Sequence, residues 1–147
     1  MHQGPSTEVR QDYVKLMFSL NEKKADGEGF ISNKEIANAL HVQPPSVTGI
    51  MAKLQQSGLV EWRKRKGAML TKQGLAFARK ISEMHRLVET FITMVLKIED
   101  VALMQRIACK MEHILLDEPR FARILDEHVN GTRQRMLLGS TESTINE

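Results

Sequence analysis

Apolar residues recur every three or four positions along most of this chain, which predicts a mainly α-helical protein. A first helix ending near Asn21 is indicated by Val9, Tyr13, Leu16, Met17 and Leu20. A loop is expected at 22–29. Ser32 and Glu35 are spaced as a capping box, so a short second helix is expected to begin there and to run through Leu40. Pro44 suits the first turn of a third helix, which is expected to stop at Ser57-Gly58.

Two short extended segments follow the third helix and can pair as a hairpin. They are Leu59–Trp62 and Ala68–Thr71, on either side of Arg63–Gly67. Helix, tight turn, helix and hairpin in this order are the layout of a winged helix-turn-helix, whose second helix enters the DNA major groove. The residues expected near base edges are Gln43, Pro44, Pro45, Ser46, Thr48 and Gly49, with Lys53 one turn later. The residues expected on phosphates are Arg63, Lys64, Arg65 and Lys66. The alternative interpretation is ordinary helical packing with a solvated basic turn.

The second half of the chain predicts two further helices. The first runs from Thr71 to Leu96 and has more apolar positions than a lone surface helix needs. That surplus fits either a core within the chain or packing against a second subunit, as in the two-fold dimers that read paired DNA half-sites. The second helix covers Leu103–Leu116. We therefore predict a winged helix-turn-helix domain at 8–71, a helical domain at 72–130 and a polar C-terminal tail at 131–147.

Composition and charge narrow the class of protein. The 147 residues are 41% hydrophobic and 27% charged, as in ordinary globular domains. No apolar run approaches the roughly 18 residues of a membrane span, and Met1–Thr7 is unlike a signal peptide. The single cysteine fits a reducing compartment, so a cytoplasmic protein without membrane contact is expected. The net charge of +3 indicates nucleic acid only weakly, whereas the compact basic run at 63–66 indicates it more strongly.

Three metal-capable side chains occur within little more than one turn of the last predicted helix. Cys109, Glu112 and His113 are spaced i, i+3 and i+4, so they lie on one face and can converge on one ion. Thiolate, carboxylate and imidazole together suit Fe(II), Zn(II), Co(II) or Mn(II). The alternatives are a solvated Glu-His pair and a small buried cysteine. A Cys109 nucleophile with His113 as base lacks an orienting partner, so an enzyme is not expected.

Several short motifs follow one another in a specific order. They are Asp12-Tyr13, Pro45-Ser46-Val47-Thr48, Gly58-Leu59-Val60, Leu70-Thr71, His85-Arg86-Leu87-Val88-Glu89 and Cys109-x-x-Glu112-His113. In order and spacing the chain resembles, over roughly residues 9–128, the diphtheria toxin repressor family of metal-dependent repressors of iron or manganese homeostasis. The resemblance implies a winged helix-turn-helix followed by a helical metal-binding and dimerisation domain. Many members carry a further C-terminal SH3-like domain, for which this chain is too short, so a short form without it is expected.

The resemblance also implies a set of metal ligands, namely Asp12, Cys109, Glu112, His113, His85 and Glu89. Iron-sensing members typically have Met and Cys at the positions of Asp12 and Cys109, whereas manganese-sensing members have Asp and Glu; this chain mixes the two. Lys15 stands where the manganese branch has a second carboxylate, and Gln105 stands where the iron branch often has a histidine. Fe(II) or Mn(II) is the expected ion, with Zn(II) as a further candidate; the thiolate favours Fe(II) or Zn(II).

The function implied is metal-dependent repression of genes for metal uptake by a homodimer bound to a double-stranded DNA operator. An ion shared by Asp12 and the 109–113 helix is expected to set the separation of the two recognition helices. Metal would then favour the DNA-competent arrangement, and DNA would tighten metal binding in return. A metal-independent regulator, similar to the multiple antibiotic resistance regulators, is the alternative, and it would bind DNA regardless of chelators.

Overall fold

The described residues form six helices and one two-stranded sheet, which confirms the predicted mainly α class. The computed structural model describes residues 6–24 and 29–142. The elements are α1 (Thr7–Glu22), α2 (Asn33–Leu40), α3 (Pro44–Gln56), β1 (Val60–Arg63), β2 (Gly67–Leu70), α4 (Lys72–Met94), α5 (Val101–Asp117) and α6 (Pro119–Glu142). The chain divides into two units, Met1–Lys80 and Ile81–Glu147. The sequence placed this division nine residues earlier, at the start of α4.

Local side-chain chemistry sets the ends of α2 and α3. The Glu35 backbone N–H donates to Ser32 Oγ at 3.1 Å, and the Ser32 backbone N–H donates to Glu35 Oε2 at 2.8 Å, which completes the predicted capping box. α2 ends at Leu40, and its C-cap residue His41 has a left-handed φ of 56°. α3 then begins at Pro44, where the missing N–H costs nothing. The tight turn between the two helices was predicted from the sequence, and the structure confirms it.

The hairpin is antiparallel, with Val60 opposite Leu70 and Arg63 opposite Gly67. Both strands are therefore shifted by one residue from the prediction, because Arg63 and Gly67 still pair and the tip is only Lys64–Lys66.

A third segment joins the hairpin beside β2. Ile31 and Ala68 exchange two backbone hydrogen bonds of 2.8 and 2.9 Å. Gly67 adjoins this bridge with φ 102°, and a Cβ there would lie 2.0 Å from the Ile31 carbonyl oxygen. The close approach and the positive φ both require glycine at this position.

In the first unit, α2 packs on α3, α3 packs on β1, and α1 contacts α2 and β2. The side chains buried in this unit include Met17, Ile31, Ile36, Val47, Met51, Leu54 and Val60. Burial of one face of α3 leaves its other face, including its N-terminal turn, at the surface.

The second unit has its own core, contributed by three helices. Its buried residues are Met84, Val88, Ile92, Ala108, Leu115 and Leu125. The surplus of apolar positions on α4 is therefore used, at least in large part, within the chain itself.

The C-terminal segment differs from the predicted polar tail at 131–147. α6 continues through Gly131 to Glu142, and Val129, 3% exposed, anchors its middle. The predicted tail at 143–147 and residues 25–28 of the predicted 22–29 loop lie outside the described residues. Within the described ranges, no helix combines the length and the apolar character needed to cross a membrane.

Candidate functional site

Two helices of the second unit carry a cluster of metal-capable side chains. α4 supplies His85, and α5 supplies Cys109 and Glu112, which are three residues apart and so project from one face. One donor atom from each of these residues lies within 4.8 Å of the other two. The helical face predicted from the sequence is therefore completed by a histidine that is distant along the chain.

The centre of this cluster is a contact between an imidazole and a buried carboxylate. His85 Nδ1 lies 2.5 Å from Glu112 Oε2, and Glu112 is 0% exposed. A buried carboxylate is costly unless it is paired, and His85 provides that pairing here. Cys109 is exposed, so solvent reaches one side of the cluster.

The donor set and its spacing fit a divalent transition metal. In a tetrahedral site with bonds of about 2.0–2.3 Å, neighbouring donors lie about 3.3–3.8 Å apart. The three donors lie within 4.8 Å of one another, and the His85–Glu112 contact of 2.5 Å would have to open by about 1 Å to admit an ion. Nitrogen, sulfur and oxygen together suit Fe(II), Mn(II) or Zn(II) better than Mg(II) or Ca(II).

Glu89 and Gln105 form a chain of polar contacts on the Nε2 side of His85. Its Nε2 lies 3.1 Å from Glu89 Oε1, and Gln105 Nε2 donates to the same Glu89 oxygen at 2.5 Å. Both ring nitrogens of His85 therefore face carboxylates, one from each helix. The sequence singled out His85 and Glu89 as a pair but did not place them beside Glu112.

The remaining predicted ligands lie on α1 and α5. Asp12 is exposed on α1 of the first unit, and Lys15 is half-buried one turn later. His113 follows Glu112 on α5 and is 9% exposed. The ligand roles of Asp12 and His113 stay predictions from the sequence.

The predicted recognition residues lie at the start of α3 and face solvent. Exposed residues are Gln43, Pro44, Pro45, Ser46, Thr48 and Gly49, while Lys53 is half-buried. The Thr48 hydroxyl is held in place, since it accepts from Asn33 Nδ2 at 3.0 Å and donates to the Pro44 carbonyl oxygen at 3.4 Å. A Cβ added at Gly49 would meet nothing within 4 Å. This turn therefore offers a shallow, open surface to an approaching base pair.

The basic hairpin tip is partly immobilised by an aromatic ring that the sequence did not reveal. Arg63 and Lys66 lie over the Phe30 ring, at 5.2 and 5.7 Å from its centroid. Arg63 also pairs with Glu61 at 2.6 Å. Lys64 and Arg65 occupy the tip between them and are exposed, as phosphate contacts require.

Two family models cover most of this chain. Residues 6–68 match the iron dependent repressor N-terminal DNA binding domain, and residues 71–134 match the iron dependent repressor metal binding and dimerisation domain. The chain belongs to the iron-dependent repressor family. This confirms the family expected from the motifs, and it assigns the helix-turn-helix and the donor cluster to separate domains.

Individual relatives agree with this assignment. An uncharacterized HTH-type transcriptional regulator of Methanocaldococcus jannaschii is 33% identical over 88 residues, covering 60% of this chain and 70% of the relative. A structure of ScaR with bound Zn2+ is similar with a TM-score of 0.68 and 31% identity, over 82% of this chain and 53% of that chain. The manganese regulator SloR is similar with a TM-score of 0.63 and 30% identity, over 88% of this chain and 55% of that chain. This chain thus spans about half the length of these two solved proteins.

Proposed function

We propose that this protein is a metal-dependent transcriptional repressor that binds a double-stranded DNA operator as a homodimer in the cytoplasm. The observation that carries the proposal is the His85, Cys109 and Glu112 donor cluster, which lies inside the segment that matches a metal-binding and dimerisation domain. The exposed start of α3 and the basic hairpin lie inside the segment that matches a DNA-binding domain. The same chain thus carries a candidate metal-sensing site and a candidate DNA-binding surface.

The ion is proposed to be Fe(II) or Mn(II), with Zn(II) as a further candidate. The mixed donor set supports a transition metal, and the similar proteins ScaR, seen with Zn2+, and the manganese regulator SloR support the same class. A bound cation would supply the positive charge and directional bonds that hold the three side chains in one arrangement. Glu112 supplies a buried negative charge, and Cys109 supplies a thiol that must lose its proton on binding.

Dimerisation is proposed to use apolar surface of the second unit. The exposed large apolar side chains of this unit include Leu96 just after α4, Val101 and Ile114 on α5, and Phe121 and Ile124 on α6. Isolated exposed apolar residues are common, but this many in one small unit are typical of an interaction surface. A two-fold partner would place two α3 helices for paired half-sites.

Metal and DNA are proposed to be coupled by a shared conformational equilibrium. If metal binds the DNA-competent arrangement more tightly than the others, it shifts the population toward that arrangement, and DNA must tighten metal binding by the same factor. Asp12 is the residue of the first unit proposed as a ligand, on the strength of the family resemblance and its exposure on α1. The regulated genes are proposed to serve metal uptake.

Cys109 is proposed to be a ligand rather than a nucleophile, because its thiol lies beside a histidine and a buried carboxylate in a donor cluster.

An anaerobic fluorescence anisotropy titration tests the proposed metal-dependent DNA binding. It uses a DNA duplex that the protein selects from a random pool in the presence of Mn(II). DNA affinity should rise with Fe(II), Mn(II) or Zn(II), fall with a chelator, and lose this response in Cys109→Ala. Chelator-insensitive binding would instead favour the metal-independent regulator.

A further inference from the structure

The two ring nitrogens of His85 have different surroundings. Nδ1 faces Glu112, a member of the donor cluster, whereas Nε2 faces Glu89, which lies outside that cluster. An imidazole binds a metal through one nitrogen, and in metal sites the other nitrogen usually donates its proton to a carboxylate or carbonyl. The geometry therefore distinguishes a metal-facing nitrogen from a supporting one.

Glu89 is in turn held by a side chain of α5. Gln105 Nε2 donates at 2.5 Å to the same Glu89 oxygen that contacts His85 Nε2. The amide orientation follows from chemistry, because only the NH₂ end of a glutamine can donate to a carboxylate. With Nε2 protonated, this Glu89 oxygen accepts from both His85 and Gln105, so the two contacts direct Glu89 toward the ring of His85.

We infer that Glu89 and Gln105 are positioning residues and that His85 binds the metal through Nδ1. This replaces the ligand role that the sequence predicted for Glu89, and it rests on the proposed metal-dependent function. Gln105 orients Glu89, Glu89 fixes the ring of His85 and keeps the proton on Nε2, and Nδ1 is presented to the ion beside Cys109 and Glu112. The neutral amide of Gln105 is a weak metal ligand, so its role at this position is to orient Glu89.

The direct test is NMR of the full chain labelled with ¹⁵N-histidine and loaded with ¹¹³Cd(II). A one-bond ¹¹³Cd–¹⁵N coupling is expected at Nδ1 of His85, with a protonated Nε2, and His85→Gln assigns the signal among the five histidines. Coupling at Nε2, or no coupling to either nitrogen of His85, would overturn the inference.

Metal titrations of variants test the positioning roles. Glu89→Ala is expected to lower Cd(II) and Mn(II) affinity about 10- to 100-fold, as for other supporting residues of metal sites, while the number of ions per chain stays the same. Glu89→Gln should recover part of the affinity, because its carbonyl oxygen can still accept from Nε2–H. Glu83→Ala, an exposed glutamate two turns earlier on α4, is the matched control and should bind as wild type.

The outcomes separate this inference from the proposed function. Loss of one bound ion per chain in Glu89→Ala would show that Glu89 is a ligand, even if metal still controlled DNA binding. Conversely, Nδ1 coupling in a protein whose DNA binding ignores metal would support the inference and refute the function.

Discussion

Replacing Glu112 by glutamine is expected to remove most of the thermal stabilisation that a divalent cation gives this protein. Glu112 is fully buried and lies at the centre of the donor cluster, so the side chain at this position must itself supply the ligand oxygen. Glutamine has nearly the same shape, so the change leaves no cavity. Its carbonyl oxygen can also accept a hydrogen bond from His85, which preserves the metal-free contact.

The size of the effect follows from linkage. A ligand that binds only the folded state stabilises it by about 2.7 kcal/mol at a concentration 100 times Kd. For a chain of this size 1 kcal/mol corresponds to about 2–4 °C, so the melting temperature of the wild type should rise by about 5–11 °C. If the variant loses about 100-fold in affinity, the same metal concentration stabilises it by only about 0.4 kcal/mol, or about 1–2 °C.

The assay is thermal unfolding by circular dichroism, anaerobically, with and without Mn(II) at the same concentration for each protein. Glu127→Gln, the same substitution at an exposed position on α6, is the matched control and should keep the full increase. A Glu112→Gln protein whose melting temperature rises as much as that of the wild type would refute the reasoning.

Four further changes probe the rest of the molecule. Asp12→Ala should abolish the metal response of DNA affinity in anisotropy titrations while changing metal-free stability by no more than about 0.5 kcal/mol, as for an exposed position; a full response would exclude Asp12 as a ligand. Lys64→Gln should weaken binding to all duplexes and reduce the slope of log K against log salt by about 1, and an unchanged slope would place this residue away from phosphate. Gly67→Ala should cost at least about 1–3 kcal/mol in urea unfolding from its positive φ alone, so wild-type stability would contradict the close backbone approach. The Ser32 backbone N–H holds the pKa of Glu35 below its ordinary value of 4.5. The ionised carboxylate therefore stabilises the fold above pH 4.5, and this contribution is lost as the pH falls through the lowered pKa. Glu35→Gln should make the free energy of unfolding depend less on pH in that acid range, and an unaltered pH profile would argue against the capping role.

The features that local chemistry determines were predictable from the sequence. The capping box at Ser32, the start of α3 at Pro44 and the face shared by Cys109 and Glu112 each depend on residues within one turn of each other. Such signals do not require knowledge of the tertiary structure.

Features that depend on distant residues were not predictable. His85 and Glu112 are 27 positions apart, and only the packing of α4 and α5 in one core makes Nδ1 face the carboxylate. Phe30 is likewise far in sequence from the basic tip that it supports. The extension of α6 past Gly131 was missed because a glycine in a polar segment indicates a helix end. A glycine inside a helix costs about 1 kcal/mol relative to alanine, and the other residues of this 24-residue helix outweigh that cost.

The coupling between metal and DNA is tested most directly by measuring metal affinity itself, with and without DNA. Isothermal titration of the full chain with Mn(II), anaerobically, should give a tighter Kd when the selected duplex is present, by the same factor by which Mn(II) tightens DNA binding. Glu112→Gln should show neither effect. Equal Mn(II) affinity in the presence and absence of the duplex would contradict the account.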